Sequence, residues 1–238
     1  MDFKTQEYLK ETKMLDYSSA NICEIVGVCG WASMPEVERV KAIYGFVKDA
    51  IAFGYNSRDE LKASRVLRDG FGQCNTKATL LMALLRACGV PCRIHGYTID
   101  KRLQKGAMTG FAYRSAPDEI FHSVVEAFVG GRWYALEGVI LDAKYLAAVQ
   151  RKFHPDPDGS FIGYGVATKQ FLRPPVEFYE CDTFIQSEGI VRDFGTFDDP
   201  DALYKRHGQK MNFLKSLAYR LVGRRLMNRN VKALRDGK

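Results

Sequence analysis

The chain has 238 residues, 46% of them hydrophobic and 26% charged, which is enough apolar material for a real core and excludes a disordered or fibrous protein. Its net charge of +7 is uneven: residues 203–238 hold eleven Lys or Arg against the single acid Asp236, while the preceding residues carry 24 basic and 27 acidic side chains. No apolar run reaches the length of a membrane span, the polar start lacks the apolar stretch of a secretory signal, and Cys23, Cys29, Cys74, Cys88, Cys92 and Cys181 are not spaced as a disulfide scaffold, so a cytoplasmic protein with reduced thiols is expected.

Residues 4–14 read as a short polar helix. Ser33-Met34-Pro35-Glu36 has the form of a capping box, with Ser33 at the N-cap and Glu36 reaching back. Behind it Val37, Val40, Tyr44, Val47 and Ile51 recur at helical spacing and predict a core-facing helix. Residues 52–73 read as a loop with a short helix near Leu61–Leu67, closed by the turn glycines Gly70 and Gly72. Cys74 follows at the start of a helix in which Leu80, Leu81, Leu84 and Leu85 make the middle apolar nearly all round, the pattern of a buried helix. Gly89 and Pro91 end it.

Strands are predicted over Pro91–Ile99, Ile120–Val129 and Arg132–Ile140, with a polar loop at 101–119. The Gly130-Gly131 pair between the last two marks a hairpin. Residues 151–200, interrupted by Pro155, Pro157, Pro174 and Pro175, read as irregular. Residues 201–235 return to helix, with Leu214, Leu217 and Leu221 as its apolar stripe and Gly223 as a division.

A cysteine at a helix start is well placed to become a thiolate, because the helix dipole and the unpaired N–H groups of the first turn favour negative charge. The hairpin supplies partners. With Gly130-Gly131 as a two-residue loop, His122 faces Val139 and Val124 faces Glu137, so His122 and Glu137 are diagonal neighbours on one face of the sheet. Cys74, His122 and Glu137 then have the residue types of a nucleophile, a base and a group that orients the base. Cys88 and Cys92 are too far apart for a redox pair and lack the second pair a zinc site needs. His95, His154 and His207 read as structural or exposed.

Three segments resemble transglutaminase-like proteins, which share the papain-like core: Gly70–Arg93 around Cys74, Ala63–Leu67 ahead of it, and Phe121–Val129 with Gly131–Glu137. The resemblance spans about residues 35–145. It implies an α+β fold in which a nucleophilic cysteine opens a buried helix packed on an antiparallel sheet, with Cys74 as nucleophile, His122 as base and Glu137 as orienting acid. The family usually has aspartate at the last position. Glu137 is one methylene longer, and Asp142, five residues on, is the poorer alternative. For the oxyanion, the Cys74 N–H is a natural donor, with Tyr55 or Gln73 as side-chain candidates.

The expected organisation is a catalytic domain over 1–200 and a basic helical extension over 201–238. The expected function is cysteine-dependent acyl chemistry on an amide or peptide bond, hydrolysis ahead of amine transfer, with no cofactor or metal. The alternative is an inactive binding module that uses the basic helix for an acidic partner. The tail is expected to pack on the domain, ahead of a contact with nucleic acid or an anionic surface. The oligomeric state is left open.

Overall fold

The computed structural model describes residues 6–208 and 217–237. It is an α+β structure of helices α1 (Ala20–Cys29), α2 (Glu36–Asp49), α3 (Ala63–Asp69) and α4 (Cys74–Ala87), followed by strand β3 (Cys92–Asp100), helix α5 (Gly110–Ser115) and strands β4 (Glu119–Val129) and β5 (Arg132–Ala135). Two short strands, β1 (Ala52–Phe53) and β2 (Phe71–Gly72), pair in parallel just ahead of α4. Helix α6 (Ala143–Lys152), the hairpin β6 (Phe161–Gly163) and β7 (Val166–Thr168), strand β8 (Ile190–Phe197) and helices α7 (Pro200–Arg206) and α8 (Arg224–Arg235) complete it.

Helix α4 is the centre of the core. Every residue from Asn75 to Arg86 is buried, with α1, α2 and α3 packed on one side and β3 and β4 on the other. Full burial of Leu80, Leu81, Leu84 and Leu85 stabilises the fold by roughly 2 kcal/mol each. Polar groups carried inside are used as ties. Arg86 donates to the carbonyls of Lys10 (2.6 Å), Cys92 (2.9 Å) and Asp198, so the far end of α4 holds three chain segments.

The sheet is antiparallel in the order β5-β4-β3-β8. The hairpin register is the one read from the sequence as far as it runs, with Val129 opposite Arg132 and Glu126 opposite Ala135. The strand expected over Arg132–Ile140 ends at Ala135, however. A parallel bridge from Leu136 to Thr183 and a 3₁₀ turn over Glu137–Ile140 replace the rest. Gly138 allows this turn: a Cβ there would lie 2.6 Å from the Tyr44 hydroxyl and 2.9 Å from the Val176 Cα.

Other local expectations are also corrected. Residues 10–16 are not helical, and the start of the helix expected over 4–14 lies outside the described residues. Ser33 does not cap α2; its hydroxyl donates to Gly30, and Glu36 accepts the Gly130 N–H (2.9 Å) and so holds the hairpin loop. The loop expected at 101–119 contains a 3₁₀ turn, Lys101–Gln104, and α5. The region read as irregular, 151–200, contains the β6–β7 hairpin and the edge strand β8, whose half-exposed sequence and Gly195 gave no clear alternation.

The tail helix runs from residue 217 through a π turn (Tyr219–Gly223) into α8 without a break at Gly223. It docks through Met227, Val231 and Leu234, all buried, and not through the leucine stripe: Leu217 and Leu221 are exposed, and Leu214 lies outside the described residues. Asn228 pairs with both backbone groups of Tyr55, at 2.7 and 3.0 Å. Arg235 donates to the Phe53 carbonyl (3.0 Å) and to Asp142 (2.6 Å).

Asp142 therefore has a structural task. It caps α6 through the Tyr145 N–H (2.9 Å), accepts the Phe53 N–H (2.8 Å) and pairs with Arg235. Asp142→Ala should lower the unfolding free energy by about 2–4 kcal/mol, read as a fall in the urea midpoint. Asp142→Asn, which keeps an acceptor, should lose less.

Candidate functional site

Cys74 is the first residue of α4 and is half-buried. Its neighbours hold the helix start in place. Thr76 accepts the Gln73 N–H at 3.1 Å and donates to Asn56 at 2.7 Å. Asn75 ties the helix start to β4: it donates to the Phe121 carbonyl (3.2 Å) and accepts from the Ser123 hydroxyl (2.9 Å). Those two residues flank His122, so one amide fixes the register of Cys74 against the histidine.

His122 is fully buried, and its Nε2 lies 3.2 Å from Glu137 Oε1. The diagonal proximity expected from the hairpin is thus met, but by a different backbone. Glu137 opens the 3₁₀ turn instead of continuing β5. Its second oxygen accepts the backbone N–H groups of Ile185 (2.9 Å) and Gln186 (3.1 Å). Three hydrogen bonds hold this carboxyl group. Asp142, the alternative, is engaged with Arg235, Phe53 and Tyr145.

With Nε2 facing Glu137, Nδ1 remains for Cys74. That atom is buried and forms no hydrogen bond of ordinary distance and angle among the described residues. Burial pulls the His122 pKa down. Hydrogen bonding and charge from Cys74, then from Glu137, outweigh it and raise the value from 6.5 to about 9. A shift in this direction favours the protonated ring, in which both nitrogens are donors, Nε2 toward Glu137.

The two side-chain oxyanion candidates are already engaged. Tyr55 donates its hydroxyl proton to Gln104 at 2.6 Å. Gln73 uses its amide on Asp59 (2.8 Å) and its carbonyl on the Asn56 N–H (2.8 Å). The Cys74 N–H at the helix start is unaffected by this. A different phenol, Tyr204 of α7, has a buried hydroxyl with no hydrogen-bond partner among the described residues. Burial lifts its pKa well above 10, with electrostatic contributions from Asp59 and Cys74, so the phenol keeps its proton. The sequence offers no signal for Tyr204, since it stands outside every motif and arrives from the far end of the chain.

Lys77, one turn into α4, is fully buried and donates to the carbonyls of Lys48 (3.0 Å) and Ile140 (3.1 Å). Ile140 ends the turn that Glu137 begins, so Lys77 ties the cysteine helix to the carboxylate's turn. Burial lowers the Lys77 pKa to about 7, against the opposing pull of Asp142 and Asp49. All six cysteines are free thiols. No helix among the described residues is long and apolar enough to cross a membrane.

Residues 26–138 match the family model of the transglutaminase-like superfamily. Among solved structures, the chain is similar to a candidate cysteine protease from Cytophaga hutchinsonii at 17% identity and a TM-score of 0.47, covering 85% of this chain and 50% of that one. It is similar to a candidate protease from Parabacteroides distasonis at 17% identity and a TM-score of 0.35, covering 56% of this chain and 26% of that one. For red sea bream transglutaminase the identity is 18% and the TM-score 0.31, with coverages of 57% and 26%. The chain thus spans half the length of the first of these structures and less of the others. No curated protein matches the chain.

The two buried bases drive stability in opposite directions with pH. His122 binds its proton more tightly folded than unfolded, so its contribution is complete below about pH 6.5 and lost as pH rises through about 9. Lys77 binds its proton less tightly folded, so its contribution grows from about pH 7 toward its unfolded value of 10.5. The wild-type urea midpoint should change little between about pH 7 and 9, where the slopes oppose. The Lys77→Met midpoint should fall across that range. In a Cys74→Ala chain the His122 ring should titrate at lower pH by NMR, because the larger favourable influence on it is gone.

Proposed function

We propose, from the transglutaminase-like core formed by residues 26–138, that this chain carries out cysteine-dependent acyl chemistry on an amide or peptide bond. One observation carries the reading: the buried His122 ring is hydrogen-bonded to a carboxyl group that is itself pinned by two backbone N–H groups, and a half-buried helix-start cysteine helps to raise the pKa of that ring. This is the nucleophile, base and orienter arrangement.

In the proposed mechanism the Cys74 sulfur attacks the substrate carbonyl as a thiolate, stabilised by the His122 imidazolium and the start of α4. A tetrahedral oxyanion forms, and the Cys74 N–H and the Tyr204 hydroxyl are the donors assigned to it. His122 gives its proton to the departing amine, leaving a thioester on Cys74. The now neutral ring takes a proton from water, which hydrolyses the thioester and restores the thiolate. Glu137 keeps Nε2 engaged throughout, so the ring presents Nδ1 to the sulfur at each step. Hydrolysis is favoured over transfer to a second amine. The cytoplasm, with its reduced thiols, is the compartment this chemistry suits.

Intact-mass profiling with peptide, amide and ester electrophiles should yield a single acyl adduct that maps to Cys74 and disappears in Cys74→Ala. Adducts spread over the exposed Cys23 and Cys181 at equal rates would end the proposal. Tyr204→Phe separates function from fold. It removes a buried hydroxyl that has no partner among the described residues, so the melting temperature should hold or rise, while the acylation rate should fall roughly a hundredfold. An unchanged rate would remove Tyr204 from the oxyanion site.

A further inference from the structure

The tail helix docks through one face and leaves the other uncovered. On the uncovered side Leu217 is 39% exposed, Leu221 51%, Val222 57% and Leu226 50%. These apolar side chains alternate with Arg220, Arg224, Arg225 and Arg229. The inner face is fully occupied by Met227, Val231 and Leu234 and by the bonds of Asn228, Asn230 and Arg235 to the domain, so this helix is not one that has failed to pack. Isolated exposed leucines need no explanation, but four large apolar side chains within ten residues of a docked helix do.

The helix also forms one wall of a cationic groove of about 700 Å³. Arg220 and Arg224 line it from the tail, and Arg58, Lys62, Arg65 and Arg68 line it from α3 and the loop before it. Lys62 and Arg65 have carboxylates nearby, Asp16 at 3.7 Å and Asp69 at 2.7 Å. No ion pair joins Arg58, Arg68, Arg220 or Arg224 to a carboxylate among the described residues. Two surfaces of one sign therefore converge, with Leu217 and Leu221 in the groove lining between them and Val222 and Leu226 exposed outside it.

We infer that the outer face of residues 217–229, with the adjoining arginine groove, is a docking surface for an anionic phospholipid bilayer. Each part has its counterpart there. The leucines and Val222 enter the boundary between headgroups and acyl chains, the flanking arginines meet the phosphates, and the groove takes headgroups beside the helix. Nucleic acid or an acidic peptide would satisfy the arginines and leave the leucines in water, which is why the exposed apolar row selects the bilayer. The helix lies on the surface and does not cross it. This inference is independent of the chemistry at Cys74.

Vesicle flotation of the full chain tests it. At low salt the chain should float with vesicles of phosphatidylcholine and phosphatidylglycerol in a two-to-one mixture and stay behind with pure phosphatidylcholine. Arg225→Glu with Arg229→Glu should weaken binding at least about thirtyfold. Leu221→Ser with Leu226→Ser should weaken it roughly tenfold or more at unchanged net charge. Both pairs are exposed, and an unchanged melting curve checks that each variant is folded. Val222→Ser is a second apolar probe on a different side chain and should weaken binding in the same direction. Failure to float at low salt overturns the proposal, as does equal flotation with pure phosphatidylcholine. Binding of an RNA oligonucleotide or polyglutamate as tight as vesicle binding, with the serine variants at wild-type strength, also overturns it in favour of a polyanion site.

Discussion

Most of this structure depends on a helix buried on all sides that begins with a half-buried cysteine. Burial of α4 supplies much of the core, and it also makes the helix start immobile. An exposed cysteine-bearing helix could rock by an ångström without cost. Here the movement would have to open contacts with three helices and two strands, and would break the bonds of Asn75 to Phe121 and Ser123. The same packing that stabilises the fold therefore sets the distance between Cys74 and His122. Polar groups drawn into the interior are used as ties: Arg86 at one end of the helix, Lys77 near the other.

The carboxylate is held by a different means. Glu137 sits at the start of a short turn, and the segment around Ile185 and Gln186 provides its N–H partners. The Leu136–Thr183 bridge brings that segment alongside. The early end of the strand places the Glu137 side chain where it meets both His122 and these N–H groups. Gly138 is part of that arrangement, because any side chain would strike Tyr44 and Val176. Three hydrogen-bond donors satisfy the buried Glu137 side chain, which is what permits so polar a group in the core.

The tail is bound to the same framework. Asn228 pairs with the Tyr55 backbone and Arg235 with Phe53 and Asp142, so the helix is fastened close to β1 and β2, the strands that lead into Cys74. The π turn at Tyr219–Gly223 lets Tyr219 reach the Asn56 carbonyl at 3.1 Å while Met227 and Val231 stay packed. Its unused face collects arginine and leucine together. A purely solvated face has no need of the leucines.

What the amino-acid order determines by itself is local. The apolar pattern of Leu80–Leu85 dictates a buried helix, Gly70 and Gly89 delimit its neighbourhood, and Gly130-Gly131 with β-branched flanks dictates a hairpin and its register near the loop. These are short-range consequences of side-chain period and backbone freedom, and they are enough to put Cys74 at a helix start and His122 near Glu137. Tertiary structure alone decided where β5 stops, because the parallel bridge to Thr183 competes with the ladder and wins. It alone brought Ile185, Gln186 and Tyr204 toward the site and committed Tyr55 and Gln73 elsewhere. It also turned Leu217 and Leu221 outward, since a helix has two apolar stripes to choose from here and only the one containing Met227, Val231 and Leu234 meets the core. Contacts between residues far apart in the chain leave no periodic trace, so the partners of the site, unlike its principal residues, could be read only from the folded molecule.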